Sequence, residues 1–213
     1  LVAVPVLCFI SCSEDKLDTF EGENNIFFSL KKWPTPSELP QRFAMEYEGI
    51  EYWWSYRLTK AIEDLSASFQ FIPIEYTTLK VYVPVSLMGH ISETDRNIGY
   101  RVLPSSTAVE GEDFSILAAF VPADKVDGGF VVELSRKNLR EGVTLKIDFE
   151  LIPNENFETN FTTIAKEPQS TETTSMTTFT LFFSDDTITP PLWSAFSAYF
   201  GTFSKKKLDI LLN

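Results

Sequence analysis

Residues 79–87 read Leu-Lys-Val-Tyr-Val-Pro-Val-Ser-Leu, and this stretch decides the fold class. Every second residue in it is Leu or Val, so one face of an extended chain is wholly apolar. Residues 145–151, Leu-Lys-Ile-Asp-Phe-Glu-Leu, repeat the alternation and place charged residues on the other face. This period is typical of a β-strand in a sheet that has one buried face and one wet face.

Further segments of similar composition flank these two, and turn signals containing Gly or Pro separate them. The chain also contains 19 Phe, and aromatic side chains fit the half-buried surface of a pleated sheet. Many short strands of this kind predict an all-β protein, an antiparallel β-sandwich of Ig-like type, rather than a parallel α/β sheet. The further predicted strands are Ile26–Leu30, Phe43–Tyr47, Tyr52–Leu58, Phe69–Ile74, Asn97–Leu103, Phe114–Phe120, Gly129–Leu134 and Phe179–Ser184.

The C-terminal residues change period and predict a short helical segment. Thr189 can cap a helix that has Pro190 at its first position and Gly201 at its end. Ser204 can cap a second helix, and a terminal strand over 208–212 is the alternative. The apolar stripe of the first helix comprises Leu192, Trp193, Phe196, Tyr199 and Phe200.

These patterns divide the chain into five parts. Residues 1–11 are the remnant of a signal peptide, and 12–25 form an acidic tether. Residues 26–165 form the β-sandwich domain, and 166–178, rich in Ser, Thr and Glu, are a polar loop. Residues 179–213 supply a last strand and the helical segment, which we expect to pack on the sandwich.

The first twelve residues carry the clearest signal for the location of the protein. Residues 1–10 are almost wholly apolar, yet this run is too short to cross a bilayer of roughly 30 Å as a helix. It ends in Phe9-Ile10-Ser11-Cys12, which resembles the lipobox of bacterial lipoproteins. That resemblance implies a longer precursor and lipidation of Cys12, which would become the mature N-terminus. A buried N-terminal strand with an incidental cysteine is the alternative.

Glu14 and Asp15, directly after this cysteine, resemble the export signal that sends Bacteroidota lipoproteins to the outer face of the outer membrane. The resemblance implies a protein anchored in the outer membrane by lipid and exposed on the cell surface. An anchor that faces the periplasm is the alternative.

Charge and cysteine content exclude several classes of function. The net charge of −12 repels phosphate backbones, so nucleic acid is not an expected partner. The two cysteines are Cys8 and Cys12, so the residues after Cys12 hold neither a disulfide nor a thiolate metal site. We expect no cofactor.

Four segments resemble a Calx-beta-type sandwich. In Thr107-Ala-Val-Glu-Gly-Glu-Asp-Phe114, a Thr-Ala-x-x-Gly-x-Asp-aromatic turn follows a strand. The other segments are Val81–Gly89, Phe120–Lys125 and Leu145–Phe157. The resemblance implies a Calx-beta-like fold, and some Calx-beta domains bind calcium through carboxylates at one end of the sandwich.

The order of parts also resembles an uncharacterised lipoprotein family of Bacteroidota, a domain of unknown function. That family adds the C-terminal Pro190-Pro-Leu-Trp193 and Phe200–Ser204 segments. Its members look like accessory proteins beside outer-membrane nutrient transporters, so the resemblance implies a transporter or a glycan as partner.

Calcium is the first candidate ligand, because several carboxylates fall in predicted turns. Calcium requires six to eight oxygen ligands, which these turns would have to bring together. Dense acidic runs are missing, and Asp113 fits a turn residue that accepts hydrogen bonds from backbone amides near Thr107. We therefore expect no metal site. The weak candidates are Glu110, Glu112, Asp113, Asp124 and Asp127.

An aromatic run is the second candidate. In a strand, Tyr52, Trp54 and Tyr56 share one face and Trp53 lies on the other. An exposed aromatic row of this kind can stack on sugar rings, so these residues predict contact with a glycan. The alternative is that both faces are packed inside the protein.

Catalytic candidates are few. His90 is the only histidine and follows a glycine, which predicts an exposed loop residue; it cannot supply a zinc site alone, and no motif supports a Ser-His pair. Paired carboxylates, as in glycoside hydrolysis, stay open among the 30 acidic residues, but a domain of this size and strand pattern is an unusual host. We therefore predict a protein that is not an enzyme. Asp186-Thr187-Ile188 resembles the short O-glycosylation motif of Bacteroidota, with Thr187 as acceptor, and an ordinary turn fits equally well.

The leading interpretation is a non-enzymatic surface lipoprotein that binds a ligand or a partner near an uptake system for nutrients, with glycans the expected class. The rival interpretation is a structural or adhesive cell-surface module that calcium would stabilise.

Overall fold

The computed structural model describes residues 22–28, 50–51, 64–70, 72–166, 170–186, 193–204, 206–207 and 210. Along these residues the chain forms strands β1 to β12 and one assigned helix, α1. The bounds are β1 Asn25–Phe28, β2 Ile50–Glu51, β3 Asp64–Ser68, β4 Thr78–Met88, β5 Arg96–Asn97, β6 Tyr100–Val102, β7 Phe114–Val121, β8 Asp127–Ser135, β9 Thr144–Leu151, β10 Thr163–Ala165, β11 Thr173–Ser175, β12 Thr178–Ser184 and α1 Trp193–Phe200.

The first sheet contains six strands in the order β1-β4-β8-β7-β5, and β2 also pairs with β4. The β2–β4 pair is parallel and the other pairs are antiparallel. β4 and β8 are the long central strands, and the apolar alternation of β4 was one of the two main sequence signals. All five apolar residues of the 79–87 pattern are at most 7% exposed, which confirms that this face is buried.

Pro84 lies in the middle of β4 without disrupting the sheet. On one side β4 pairs continuously with β8. On the other side β2 pairs at Lys80 and Val81, and β1 pairs from Val85 onward, so Pro84 falls between the two short partners. Proline has no N–H to donate, and a gap of this kind is a position where a strand tolerates it.

The second sheet contains four strands in the order β3-β12-β9-β6. β12 pairs antiparallel with β9 along its whole length and parallel with β3. β12 was predicted to follow the sandwich domain, but it is an inner strand of this sheet. The sandwich therefore extends beyond residue 165.

Aromatic rings connect the two sheets. The ring of Phe130 on β8 lies 5.5 Å from that of Phe149 on β9 and 5.1 Å from that of Tyr100 on β6, measured between centroids. Phe28 of the first sheet stacks on Phe179 of the second at 5.2 Å. Two mainly antiparallel sheets that face each other across such a core form a β-sandwich, so the predicted fold class is confirmed.

The predicted strand Phe69–Ile74 is wrong. The strand lies earlier, at β3, and the described residues after it form turns. The physical reason is that carbonyl groups of this segment do not face a neighbouring strand. Those of Phe69, Ile72 and Pro73 accept hydrogen bonds from the guanidinium of Arg136 instead.

The predicted strand Asn97–Leu103 is two strands. β5 pairs with β7 in the first sheet, and β6 pairs with β9 in the second. The chain crosses between the sheets at Gly99, whose carbonyl accepts the N–H of Ile152 at 3.0 Å. A Cβ atom at Gly99 would collide with the carbonyl oxygen of Ile152, so the crossing requires glycine.

Asp148 corrects the expectation that the outer face of β9 is wet. Its side chain is buried, because the segment after β6 lies over it and Ser106 Oγ accepts its N–H at 2.9 Å. The carboxylate accepts hydrogen bonds from Ser105 Oγ at 2.6 Å, from Thr180 Oγ1 at 2.7 Å and from Lys146 Nζ at 2.7 Å. Burial alone would raise the pKa of Asp148, but these three hydrogen bonds and the Lys146 charge hold the pKa below its ordinary value.

This network predicts a dependence of stability on pH. Because the pKa of Asp148 is lower in the folded chain than in the unfolded chain, its contribution is fully present above the ordinary value and is lost as pH falls through the folded-state value. Asp148→Asn should lower the free energy of unfolding by about 1.5–3 kcal/mol near pH 7. Urea titrations should show this difference shrinking below about pH 4. Thr180→Val, which removes one donor, should give an intermediate profile, and an unchanged difference at low pH would contradict the assignment.

The predicted polar loop 166–178 is partly wrong, because β11 lies inside it. β11 pairs antiparallel with β10, so this part of the chain is a hairpin rather than an irregular excursion. The composition was read correctly as polar, and the hairpin is largely exposed. Hydrogen bonds from backbone to backbone therefore set its structure instead of an apolar alternation.

The C-terminal helix is confirmed over Trp193–Phe200, but its predicted apolar stripe fails at Tyr199 and Phe200, which are exposed. The predicted cap Thr189, the first residue Pro190 and Leu192 lie outside the described residues. α1 ends at Gly201, which has φ +68° and donates its N–H to the carbonyl of Ser197 at 2.7 Å. Trp193 is buried, with its ring 5.0 Å from that of Phe203, whereas Tyr199 is 86% exposed. Of the second predicted helix, residues 206, 207 and 210 are helical, so the alternative of a terminal strand fails at residue 210.

Two further predictions lie outside the described residues, namely the strands Phe43–Tyr47 and Tyr52–Leu58. Across the part of the chain that is described, no helix has the length and apolar character that crossing a membrane requires.

Candidate functional site

The sandwich has two ends that differ in chemistry. β4, β7 and β9 finish at one end, where Arg96 and the residues after β9 lie, and we name it the Arg96 end. β8 and β12 finish at the opposite end, where Arg136 pairs with Asp185, and we name it the Arg136 end.

The predicted calcium carboxylates are divided between these ends. Glu110, Glu112 and Asp113 precede β7, whereas Asp124 and Asp127 follow it. A strand of eight residues is about 25 Å long, so the two groups do not converge. Within the described ranges, no group of three or more His, Cys, Asp or Glu residues is arranged to hold a metal ion.

Asp113 has the structural role that the sequence indicated. Its side chain is buried and its Oδ2 accepts the N–H of Val109 at 2.8 Å, close to the amides that were expected. Its Oδ1 accepts a hydrogen bond from Asn138 Nδ2 at 2.7 Å. The carboxylate therefore closes the turn before β7. At the other end, Asp127 accepts a hydrogen bond from Ser86 Oγ at 2.7 Å.

His90 is exposed in the turn after β4, as predicted. Its backbone N–H donates to Asn24 Oδ1 at 2.7 Å, which fixes the start of β1 against this turn. The remaining predicted site residues lie outside the described part of the chain: Cys12, Tyr52, Trp53, Trp54, Tyr56 and Thr187.

The unexpected feature of the Arg96 end is Arg96 itself. It lies on β5, the edge strand of the six-stranded sheet, opposite Val121 of β7. Alternation along the strand exposes Asn97 and turns Arg96 and Ile98 inward, and the whole of Arg96 is 7% exposed. A guanidinium is therefore buried beside the apolar core.

Loop residues after β9 place an aromatic ring beneath this guanidinium. Asn154 Oδ1 accepts the N–H of Phe157 at 3.0 Å, and Asn154 Nδ2 donates to the carbonyl of Asn97 at 2.9 Å. The first bond shapes the loop, and the second ties the loop to β5. As a result the guanidinium carbon of Arg96 lies 4.8 Å from the centroid of the buried ring of Phe157.

Two nitrogens of Arg96 have no hydrogen-bond partner. Nε and Nη2 are buried, and among the described residues no atom accepts a hydrogen bond from either. Burial lowers the pKa of Arg96, but an arginine side chain stays protonated in proteins. The energetic cost of a buried and unsatisfied donor is about 1–3 kcal/mol and is larger for a charged group. A ring beneath the cation offsets only about 2 kcal/mol of such a cost.

Arg136, in the same chain, is an arginine whose side-chain N–H donors all have acceptors. Its Nε and Nη2 bind the two carboxylate oxygens of Asp185, each at 2.8 Å. The remaining three N–H groups donate to the carbonyls of Phe69, Ile72 and Pro73 at 3.1–3.2 Å. All five donors are therefore used, whereas the edge formed by Nε and Nη2 of Arg96 has no acceptor.

Arg96 was not predicted as a site residue, because the strand predicted from the sequence began one residue later, at Asn97. The available signal was the alternation Arg96, Ile98, Tyr100, which places a cation on an apolar face. Chemically, a buried guanidinium can bind an anion. A guanidinium does not serve as a nucleophile or a general base, so catalysis at this end would require other residues. His90, the only histidine in the chain, is exposed.

Fold and site together define an all-β protein of the β-sandwich class with a buried cation at one end. Residues 52–213 match the family described as domain of unknown function DUF4843. The chain belongs to this family, which confirms the expectation of a family without known function. No curated protein matches the chain.

Solved structures with a similar fold are distant. A Bacteroides ovatus protein provisionally assigned as carbohydrate-binding aligns with 59% of this chain and 36% of its own at 10% identity, with a TM-score of 0.39. A Bacteroides ovatus protein of unknown function aligns with 57% and 40%, at 13% identity and a TM-score of 0.37. The apo form of the Calx CBD1 domain aligns with 59% and 92%, at 14% identity and a TM-score of 0.35. This chain spans less than half the length of either Bacteroides ovatus protein.

Proposed function

We propose that the protein is a non-enzymatic lipoprotein of the outer-membrane surface that binds glycans as an accessory of a nutrient-uptake system. The observation that carries this proposal is the sequence Phe9-Ile10-Ser11-Cys12 followed by Glu14 and Asp15. It combines a lipidation site with an acidic export signal. The transporter beside which the protein would act is part of the same proposal.

The position of β1 supports a tethered domain. β1 begins at Asn25, and Asn24, directly before it, is fixed to the turn at His90. The segment from Cys12 to Asn25 is polar and, when fully extended, reaches at most roughly 45 Å. A lipid at Cys12 would therefore hold the sandwich near the membrane with its Arg96 end attached to the tether.

Glycan binding is supported by two features of different kinds. The aromatic run from Tyr52 to Tyr56 provides rings of the type that stack on sugars. The Arg96 end provides a cation and side-chain amides, including those of Asn154 and Asn156. Amides and guanidinium groups are suited to hydroxyl and acid groups of sugars.

Lipidation is tested by a pair of matched cysteine variants. A precursor with a complete signal peptide is expressed in a Bacteroidota host that is fed radiolabelled palmitate. We expect label in the wild type and in Cys8→Ala but none in Cys12→Ala, because the lipid is attached to the sulfur of Cys12. Equal label in both variants would overturn the anchor, and protection from protease on intact cells would overturn surface exposure.

Glycan binding is tested on an array of neutral and acidic oligosaccharides with the full chain. We expect binding that Trp53→Ala or Trp54→Ala reduces by about tenfold or more, since a stacked aromatic contributes about 1–3 kcal/mol in comparable stacking contacts. Phe161→Ala serves as the control, because it removes an exposed ring just before the β10–β11 hairpin. Absence of binding to every oligosaccharide would overturn this part of the proposal.

A further inference from the structure

We propose that the Nε–Nη2 edge of Arg96 is a receptor for the carboxylate of a uronic acid sugar. This inference rests on the proposed glycan binding and names the chemical class of the ligand. Its structural basis is a charged side chain that is 93% buried, lies on an aromatic ring and presents two donors without acceptors.

The geometry of the two donors indicates a carboxylate. Nε–H and one N–H of Nη2 point in the same direction from one edge of the planar guanidinium, and this pair matches the two oxygens of a carboxylate. Arg136 uses the same two nitrogens for the two oxygens of Asp185. The chain therefore already contains the bidentate arrangement that Arg96 lacks.

The charge of the protein indicates that the ligand carries few acid groups. With a net charge of −12, the surface repels long polyanions such as nucleic acid or densely sulfated chains. A sugar with a single carboxylate reduces this repulsion and can place its charge at the buried guanidinium of Arg96. Its hydroxyl groups can then bond to the amide of Asn156 in the adjoining loop.

Both donors are sealed from solvent, so access requires movement of the sheet edge. β5 is two residues long, and the hydrogen bond from Ile98 N–H to the carbonyl of Ala119, at 3.0 Å, is among the few that hold it to β7. Short edge strands with few hydrogen bonds open at low cost. Because this movement breaks that hydrogen bond, we expect binding to be accompanied by faster hydrogen exchange at the amide of Ile98.

The inference is tested by nitrogen-15 NMR of the arginine Nε–H groups in the full chain, with D-glucuronate, D-glucose and acetate as probes. We expect the Arg96 resonance, assigned by its absence in Arg96→Lys, to move with D-glucuronate and to stay unmoved with D-glucose. Arg96→Lys should weaken D-glucuronate binding about tenfold or more, because lysine keeps the charge but loses the planar fork. Arg101→Lys, at an exposed arginine, should leave binding unchanged.

Each remaining outcome decides against the inference. An Arg96 resonance that does not respond to D-glucuronate overturns it. If Arg96→Lys does not fold, through-bond assignment of the wild-type spectrum identifies the same Nε–H group, so this readout is kept. Acetate that binds as tightly as D-glucuronate overturns the assignment to a sugar. Binding of neutral oligosaccharides alone, at the aromatic run, would overturn this inference and leave the proposed function standing.

Discussion

Replacement of Arg136 by alanine is expected to lower the free energy of unfolding by about 3–5 kcal/mol. Arg136 joins three parts of the sandwich: the end of β8, the turns after β3 and the end of β12. Its side chain is 9% exposed and that of Asp185 is 12% exposed. Truncation therefore removes the arginine partner of a largely buried carboxylate and one donor from each of three backbone carbonyls, of which those of Phe69 and Pro73 keep a turn hydrogen bond. A domain typically has about 5–15 kcal/mol of total stability, so this single change removes a large part of it.

Urea unfolding followed by circular dichroism measures the effect, and Arg101→Ala is its control. Arg101 forms an ion pair with Glu150, but its side chain is 61% exposed. Exposed pairs contribute about 0–1 kcal/mol, so the control should lose little. Arg136→Lys should lie near the alanine variant, because three donors cannot replace five. Equal losses for Arg136→Ala and Arg101→Ala would show that the buried pair does not hold the two sheets together.

Replacement of Phe130 by alanine is expected to cost about 3–5 kcal/mol as well. Phe130 is fully buried, and its ring contacts Phe28, Tyr100 and Phe149 with centroids 5.1–6.0 Å apart. These four rings are contributed by four different strands, two in each sheet, so removing one ring opens a cavity between the sheets. Phe130→Leu should lose less, about 1.5 kcal/mol or below if the neighbours repack.

The control for Phe130 is Phe161, whose ring lies edge-on against Phe27 at 6.5 Å and is 39% exposed. Phe161→Ala should change stability by less than about 1 kcal/mol, because a partly exposed site leaves little cavity. The midpoint of thermal or urea unfolding distinguishes the variants. If Phe130→Ala unfolds at the midpoint of Phe161→Ala, the aromatic cluster does not carry the packing between the sheets.

Strong alternation made much of this fold predictable. β4, β7, β8, β9 and β12 lie where apolar residues recur at every second position, because burial of one face requires that pattern. Pairing between distant segments left no such local signal. The run Phe69–Ile74 looked like a strand since it is apolar, and only the position of Arg136 shows that its carbonyls are bound elsewhere.

The candidate site was less predictable than the fold. The carboxylates from Glu110 to Asp127 are close in sequence, yet β7 separates them by its own length, and that distance appears only once the strand is assigned. Arg96 carries no motif, and its significance depends on burial and on the absence of an acceptor, neither of which a sequence records. The exposed loop position of His90, in contrast, followed from its neighbouring glycine.

The parallel pairing of β3 with β12 has a consequence for the order in which the molecule assembles. Leu65 of β3 pairs opposite Leu181 of β12, so the backbone groups of β3 find these partners only after β12 has been made. A chain made from its N-terminus can join β4, β7 and β8 first, since these are neighbours in both sequence and space. The second sheet closes only after β12 has been made, and a chain interrupted before residue 178 would expose unpaired strand edges that can pair with other chains.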